Sequence, residues 1–203
     1  MAIVFLAGPT EILVYSDGDA SAKFIASDLI AQAEHDTAAA SIFVTTSRTQ
    51  ADAIAWELRA QVPTHSRTEI IRKALLENGA LLVADSPEAA IAFINEYAPE
   101  HLVLACKSPS QVLSKIRNAG AVFLGEYAPV AIGDYGVGPN AILPTIGEAR
   151  RTSGLSANTF VRTITHCNLT REGLEGVAPT ATALAKLEGL GAHQRSIEVR
   201  LGH

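Results

Sequence analysis

The sequence is poor in the residues that several classes of protein require. Only two of its 203 residues are cysteines, Cys106 and Cys167, which leaves neither a disulfide framework nor a C-x-x-C zinc knuckle. Lys and Arg number 16 against 21 Asp and Glu, a formal net charge of -5, and no basic run forms a stripe. That balance speaks against a nucleic-acid partner. No apolar run approaches the ~20 residues that span a bilayer, so no membrane segment is expected. The opening Met1–Leu6 stretch has no cationic residue before its apolar side chains, which removes the secretory-signal reading and leaves a cytoplasmic protein as the expectation. Aromatic residues make up only 5%, yet the hydrophobic share of 48% is ordinary for a globular chain and predicts a packed core.

What is present is an alternation of short apolar runs with helical patterns. The predicted strands are Glu11–Ser16, Ser41–Thr45, Ala80–Ala84, His101–Ala105 and Ala121–Leu124, each apolar throughout, as strands buried on both faces tend to be. Between the first two, Ala22, Ile25, Ala26, Leu29, Ile30 and Ala33 recur at threes and fours and predict a helix. Further helices are expected over 48–60, 67–78, 87–96 and 109–118. Strands alternating with helices imply right-handed crossovers and a three-layer α/β fold with a mostly parallel sheet.

The character changes after Leu124. Residues 125–154 hold six glycines and three prolines with almost no periodicity, the signature of a functional loop. Beyond it, helices are expected over Asn158–Thr165 and Pro179–Glu188, followed by a short polar tail. The division expected is an α/β domain over 1–150 and a mainly helical C-terminal tail over 151–203. That tail has little apolar mass of its own and is expected to pack on the sheet or on a second subunit.

Four clusters could carry chemistry. Gln32 and His35 lie three apart at the end of the first helix and share a face, opposite much of the Ile25/Leu29 stripe. An imidazole nitrogen and an amide oxygen can ligate a divalent metal, although a solvated helix end has the same spacing. Glu100 and His101 stand at the entry to an apolar strand, where a rigid frame can hold a base and a carboxylate; surface charges at a Pro-started strand are the plainer reading. Asp134 lies in the glycine loop 133–141, which formally contains G-x-G-x-x-A at 136–141. That match is neither preceded by a strand nor followed by a helix, and Pro139 and Pro144 break any helix there, so no dinucleotide site is read from it. Glu188 and His193 flank two glycines that permit close approach to a ligand, or that serve only as a helix cap.

Taken in order, AGPTEILV at 7–14, QAEHD at 32–36, PEHL at 99–102, NAGAVFLG at 118–125, GDYGVGPN at 133–140, LPT at 143–145, SGLS at 153–156 and EGLGAH at 188–193 resemble the histidinol dehydrogenase family, over nearly the whole chain. The resemblance covers the C-terminal half of that two-domain enzyme. It implies an incomplete Rossmann-like domain and NAD-dependent oxidation of L-histidinol, a small amino alcohol, to L-histidine through the aldehyde. It implies Zn2+ held by Gln32, His35, Asp134 and His193, with Glu100 and His101 as the catalytic pair. By the same resemblance, those six residues, Thr10 and Glu188 contact substrate, Thr10 standing where the family usually has Ser. Zinc would hold the imidazole and amine of the substrate, His101 would take the hydroxyl proton, and Glu100 would activate a water that adds to the aldehyde. The C-terminal tail would cross to the partner in a homodimer. The main nicotinamide contacts would come from an N-terminal half, either removed by truncation or carried as a separate chain. Ala141 stands where the family has a substrate-contacting His. That departure keeps open a zinc-binding module without catalysis, and a relative acting on another small alcohol.

Overall fold

A computed structural model describes residues 8–202. Ala7, the first residue of the 7–14 motif, and the terminal His203 lie outside the described residues. The chain divides into two compact units, the first ending at Phe160 and the second beginning at Val161.

The first unit runs β1 (Glu11–Ser16), α1 (Ala22–Ala33), β2 (Ala40–Thr45), α2 (Arg48–Gln61), α3 (Thr68–Asn78), β3 (Gly79–Val83), α4 (Pro87–Tyr97), β4 (His101–Leu104), α5 (Pro109–Leu113), β5 (Ala121–Leu124) and α6 (Val130–Tyr135). The five strands form one sheet in the order β3-β2-β1-β4-β5, every pair parallel. This is the expected Rossmann-like architecture, with the order reversing between β1 and β4. Period-two alternation sorts the strand side chains onto two faces. Ile12, Val14, Phe43, Val103 and Phe123 pack with Ile25 and Leu29 of α1 and Ile54 of α2. Leu13, Tyr15, Ile42, Val44, Leu102 and Leu104 pack with Ala90 and Ile94 of α4.

Local chemistry sets the helix ends. The Ser47 and Ser86 hydroxyls accept from the N–H groups of Gln50 and Ala89, capping α2 and α4. The helix expected over 109–118 stops at Leu113. The Asn95 side chain competes for the remainder: its Oδ1 accepts from Arg117 N–H at 2.6 Å and its Nδ2 donates to Lys115 O at 3.0 Å, drawing 115–118 out of helical pairing.

Across the end of the first unit and the start of the second, Asn158–Thr165 is not the helix expected. Only a 3-10 turn, Ala157–Phe160, falls there, before the unit begins. The helix expected from Pro179 starts earlier, as α7 (Arg171–Leu187), with Thr170 accepting from Gly173 N–H as its cap. Pro179 sits inside α7, and the short polar tail is a further helix, α8 (Gly191–Leu201).

At the amino edge of the sheet the chain is drawn tight. A Cβ on Gly120 would lie 2.5 Å from the Glu100 carbonyl oxygen, which itself accepts from Ala121 N–H at 2.8 Å. Gly120→Ala is therefore expected to destabilise the chain by about 1–3 kcal/mol, because backbone cannot yield as a side-chain tip can. Urea denaturation measures this, and a neutral substitution would contradict the close approach.

Candidate active site

The amino edge collects the polar residues. Glu11 opens β1, His101 opens β4, and the register places Ile12 beside His101. Glu100 and His101 are buried, each only 6% accessible, so the reading of a strand start with surface charges is corrected. The Glu100 carboxylate takes two donors on one oxygen: Oε2 accepts from the Thr10 hydroxyl at 2.7 Å and from Glu11 N–H at 2.9 Å. Its Oε1 makes no hydrogen bond among the described residues.

The His101 Nδ1 lies 3.0 Å from the Glu11 carbonyl oxygen and 3.4 Å from Glu100 Oε2. A carbonyl can only accept, so Nδ1 carries a proton, and Nε2 is the nitrogen that can present a lone pair. The ring packs against Phe123, with centroids 6.3 Å apart.

Gln32 extends this network. It is 4% accessible, whereas the sequence placed it opposite the apolar stripe; Thr10, just before β1, and Val130 and Asp134 of α6 stand beside it. Its Nε2 donates to the Thr10 hydroxyl at 2.6 Å, so amide, hydroxyl and carboxylate form one chain from Gln32 to Glu100. The amide is thereby oriented, and Gln32 Oε1 is left without a hydrogen bond among the described residues. His35 follows the C-cap of α1 and is exposed.

Asp134 is not in an irregular glycine loop but on the six-residue helix α6, which ends at Gly136. Gln32, His35 and Asp134 line one small concavity of about 60 Å³, together with Asp28. Three of the four candidate zinc ligands thus share a surface within one unit. Their donor set, an amide oxygen, an imidazole nitrogen and a carboxylate oxygen, is chemistry that zinc accepts. Among the described residues, no three His, Cys, Asp or Glu side chains come together as a set able to hold a metal ion. In the second unit, Glu188 caps α7 and His193 lies in the first turn of α8. Both line a groove of about 630 Å³ between those helices.

Two residues of the site had not been singled out from the sequence. Asp28 lies four residues before Gln32 on α1, the i,i+4 relation that could have flagged it. Glu11 accepts from Tyr97 OH at 2.8 Å on Oε2, and from Ile146 N–H at 3.0 Å and Glu100 N–H at 3.3 Å on Oε1. Burial raises its carboxyl above the ordinary value. An acid opening an apolar strand gives no periodic signal.

The carboxyl edge, where open parallel sheets take dinucleotides, is furnished with the wrong charge. Glu126 accepts from Ser21 N–H at the start of α1, Asp17 accepts from Lys107 N–H, and Asp19 pairs with the Lys107 ammonium. The loop after β1, Asp17–Ser21, is not glycine-rich. These residues do not fit a pyrophosphate.

The parallel five-stranded sheet, with a carboxylate–imidazole pair and an N/O donor cluster at its amino edge, places the chain among Rossmann-like α/β proteins. Residues 1–201 match the family model of histidinol dehydrogenase, and the chain belongs to that family. It is 47% identical over 201 residues to the histidinol dehydrogenases of Methanocaldococcus jannaschii and Methanosarcina mazei, covering 99% of this chain and 46% of each relative. The crystal structure of histidinol dehydrogenase from Elizabethkingia anophelis superposes with a TM-score of 0.94 at 40% identity, over 98% of this chain and 46% of that one. The chain therefore spans about half the length of the relatives it matches.

Burial pushes the Asp28 carboxyl from 3.8 up to about 6. An acid with a higher pKa folded than unfolded favours folding while protonated, and that contribution disappears as pH rises from about 3.8 through about 6. In metal-free protein, Asp28→Asn should therefore gain on the parent as pH rises, reaching roughly 1–3 kcal/mol at neutral pH. Urea titrations at several pH values check this; a pH-independent difference would contradict it.

Proposed function

We propose that this chain is the metal- and base-bearing half of a cytoplasmic histidinol dehydrogenase-type oxidoreductase, which oxidises L-histidinol to L-histidine through the aldehyde. The observation carrying this reading is the hydrogen-bonded line from Gln32 through Thr10 to Glu100, with His101 held beside it in a single tautomer.

Gln32, His35 and Asp134 would hold Zn2+, with His193 supplying the remaining ligand. The ion would hold the substrate through its imidazole and amine. Nε2 of His101 accepts the alcohol proton, since Nδ1 is engaged by the Glu11 carbonyl. Glu100 keeps Oε1 available to receive a proton from a water that adds to the aldehyde. Thr10 keeps the hydroxyl that family members carry on Ser, donating it to Glu100 and accepting from Gln32. Glu188 would contact the substrate from the second unit. NAD is the oxidant the family implies, and its contacts are assigned to an N-terminal half because the carboxyl edge here does not suit it.

The partner is proposed to be a second copy exchanging the α7–α8 segment. Within that segment only Ala178 and Ala185 are buried, while Val177, Leu184, Leu187 and Val199 are exposed, too little core for two helices to stand alone. Ala141, exposed after the glycine loop, favours a second reading, a zinc-binding module without turnover.

The test mixes the chain with the N-terminal half of a relative, zinc, NAD and L-histidinol, and follows NADH. Turnover is expected. His101→Ala should lower kcat about 10²- to 10⁴-fold while zinc is retained. His35→Ala and Asp134→Ala should lose zinc, read by metal analysis independently of activity. Folded halves that retain zinc without turnover would establish the second reading.

A further inference from the structure

Glu11 stands where three segments meet at the amino edge. Its carboxylate receives the N–H of Glu100, the hydroxyl of Tyr97 and the N–H of Ile146, and its own N–H and carbonyl hold Glu100 Oε2 and His101 Nδ1. Glu11 and Glu100 thus exchange side-chain-to-backbone bonds in both directions. Among the described residues, only two that are not glycine have positive φ: Ala98 at 54° and Ile146 at 55°. Such a backbone crowds the Cβ against the following carbonyl and persists only where its surroundings impose it. Ala98 lies between two residues bonded to the Glu11 carboxylate, Tyr97 and Glu100. Ile146 is itself the third donor. Gly8 leaves no space for a Cβ, which would fall 2.3 Å from the Ile146 side chain, and its N–H donates to Thr145 Oγ1 at 2.7 Å. The 143–147 segment is therefore seated from both sides.

We infer that Glu11 is a positioning residue for the Glu100–His101 pair: its carboxylate ties the strained ends of α4 and of the 143–147 segment to β1, and so fixes the orientation and tautomer of His101. The inference rests on the catalytic reading of that pair. Gln at position 11 can still accept the two backbone N–H groups on its amide oxygen and face the Tyr97 hydroxyl with its amide nitrogen. Ala cannot.

The experiment uses the full chain and two readouts. The ¹⁵N shifts of the His101 imidazole, assigned by its loss in His101→Ala, report the tautomer without any turnover. Steady-state kinetics of the chain complemented with an N-terminal half report kcat and KM for histidinol. Glu11→Gln should keep the Nδ1–H tautomer and a kcat within about threefold of the parent. Folded Glu11→Ala should show both tautomers in exchange and a kcat lowered tenfold or more, with KM changed less than about threefold. Tyr97→Phe, which removes one bond and keeps the ring, should move both readouts in the same direction by a smaller amount, and it decides the matter if the Ala variant does not fold. An unchanged tautomer and kcat in a folded Ala variant, or in Tyr97→Phe when that variant alone folds, would overturn the inference, as would Gln losing as much as Ala. If the parent itself shows no turnover, the functional reading fails, while the tautomer comparison still decides the role of Glu11.

Discussion

The exchange between Glu11 and Glu100 is the constraint on which the rest of the site depends. Two carboxylates buried near one another repel and lose hydration, a cost that only directed donors can offset. The amino edge of a parallel sheet supplies such donors, because the first N–H of each strand has no neighbouring carbonyl beyond it. Glu11 and Glu100 each take the other's N–H, and Thr10, Tyr97 and Ile146 add three further donors. Bonds to ionised acceptors are about twice as strong as neutral ones, which makes the arrangement tenable. The carboxylates thus finish the strand ends and shape the site in one act.

The same geometry explains why the proposed chemistry lies opposite to the usual place. At the carboxyl edge, Glu126 already occupies the start of α1, the position where an anionic ligand would gain most from the helix dipole. At the amino edge α1 presents its C-terminus, which favours positive charge, and there Gln32 and His35 stand beside Asp134. A cation suits that end on grounds of field as well as of ligand chemistry. On the proposed reading, the protein keeps the sheet of a dinucleotide-binding fold and uses its other edge.

Much of the fold was legible because buried parallel strands leave continuous apolar runs, and all five strands stand where such runs occur. The misses have physical causes. Gln32 looked solvated because periodicity within α1 cannot report the neighbours supplied by Thr10 and α6. Asp134 looked like a loop residue because six residues of α6, bracketed by Pro129 and Gly136, give no period to detect. α8 looked like a polar tail because its side chains form no apolar stripe. The shortened α5 was set by Asn95, some twenty residues away. The candidate ligands and the acid–imidazole pair came from resemblance to a family, since spacing alone could not separate them from caps and surface charges. Glu11 and Asp28 escaped because their roles exist only once β4, the 143–147 segment and α6 are in place.

On the proposed ligand set, metal binding and the burial of the helical segment are one equilibrium. Zinc in an N/O site takes four protein ligands, or three and an open position. The α1–α6 concavity supplies an amide, an imidazole and a carboxylate, each weak or exposed alone. His193 belongs to a pair of helices whose own burial amounts to little more than Ala178 and Ala185. A helix pair so short of core gains stability chiefly by covering its apolar side chains against another surface, and a ligand carried on it reaches the ion only when it does so. Whatever binds only the assembled state stabilises that state in proportion to its occupancy. The ion and the apolar cover would therefore each strengthen the other, which is a reason for a family to place its last ligand on an appendage instead of on the sheet.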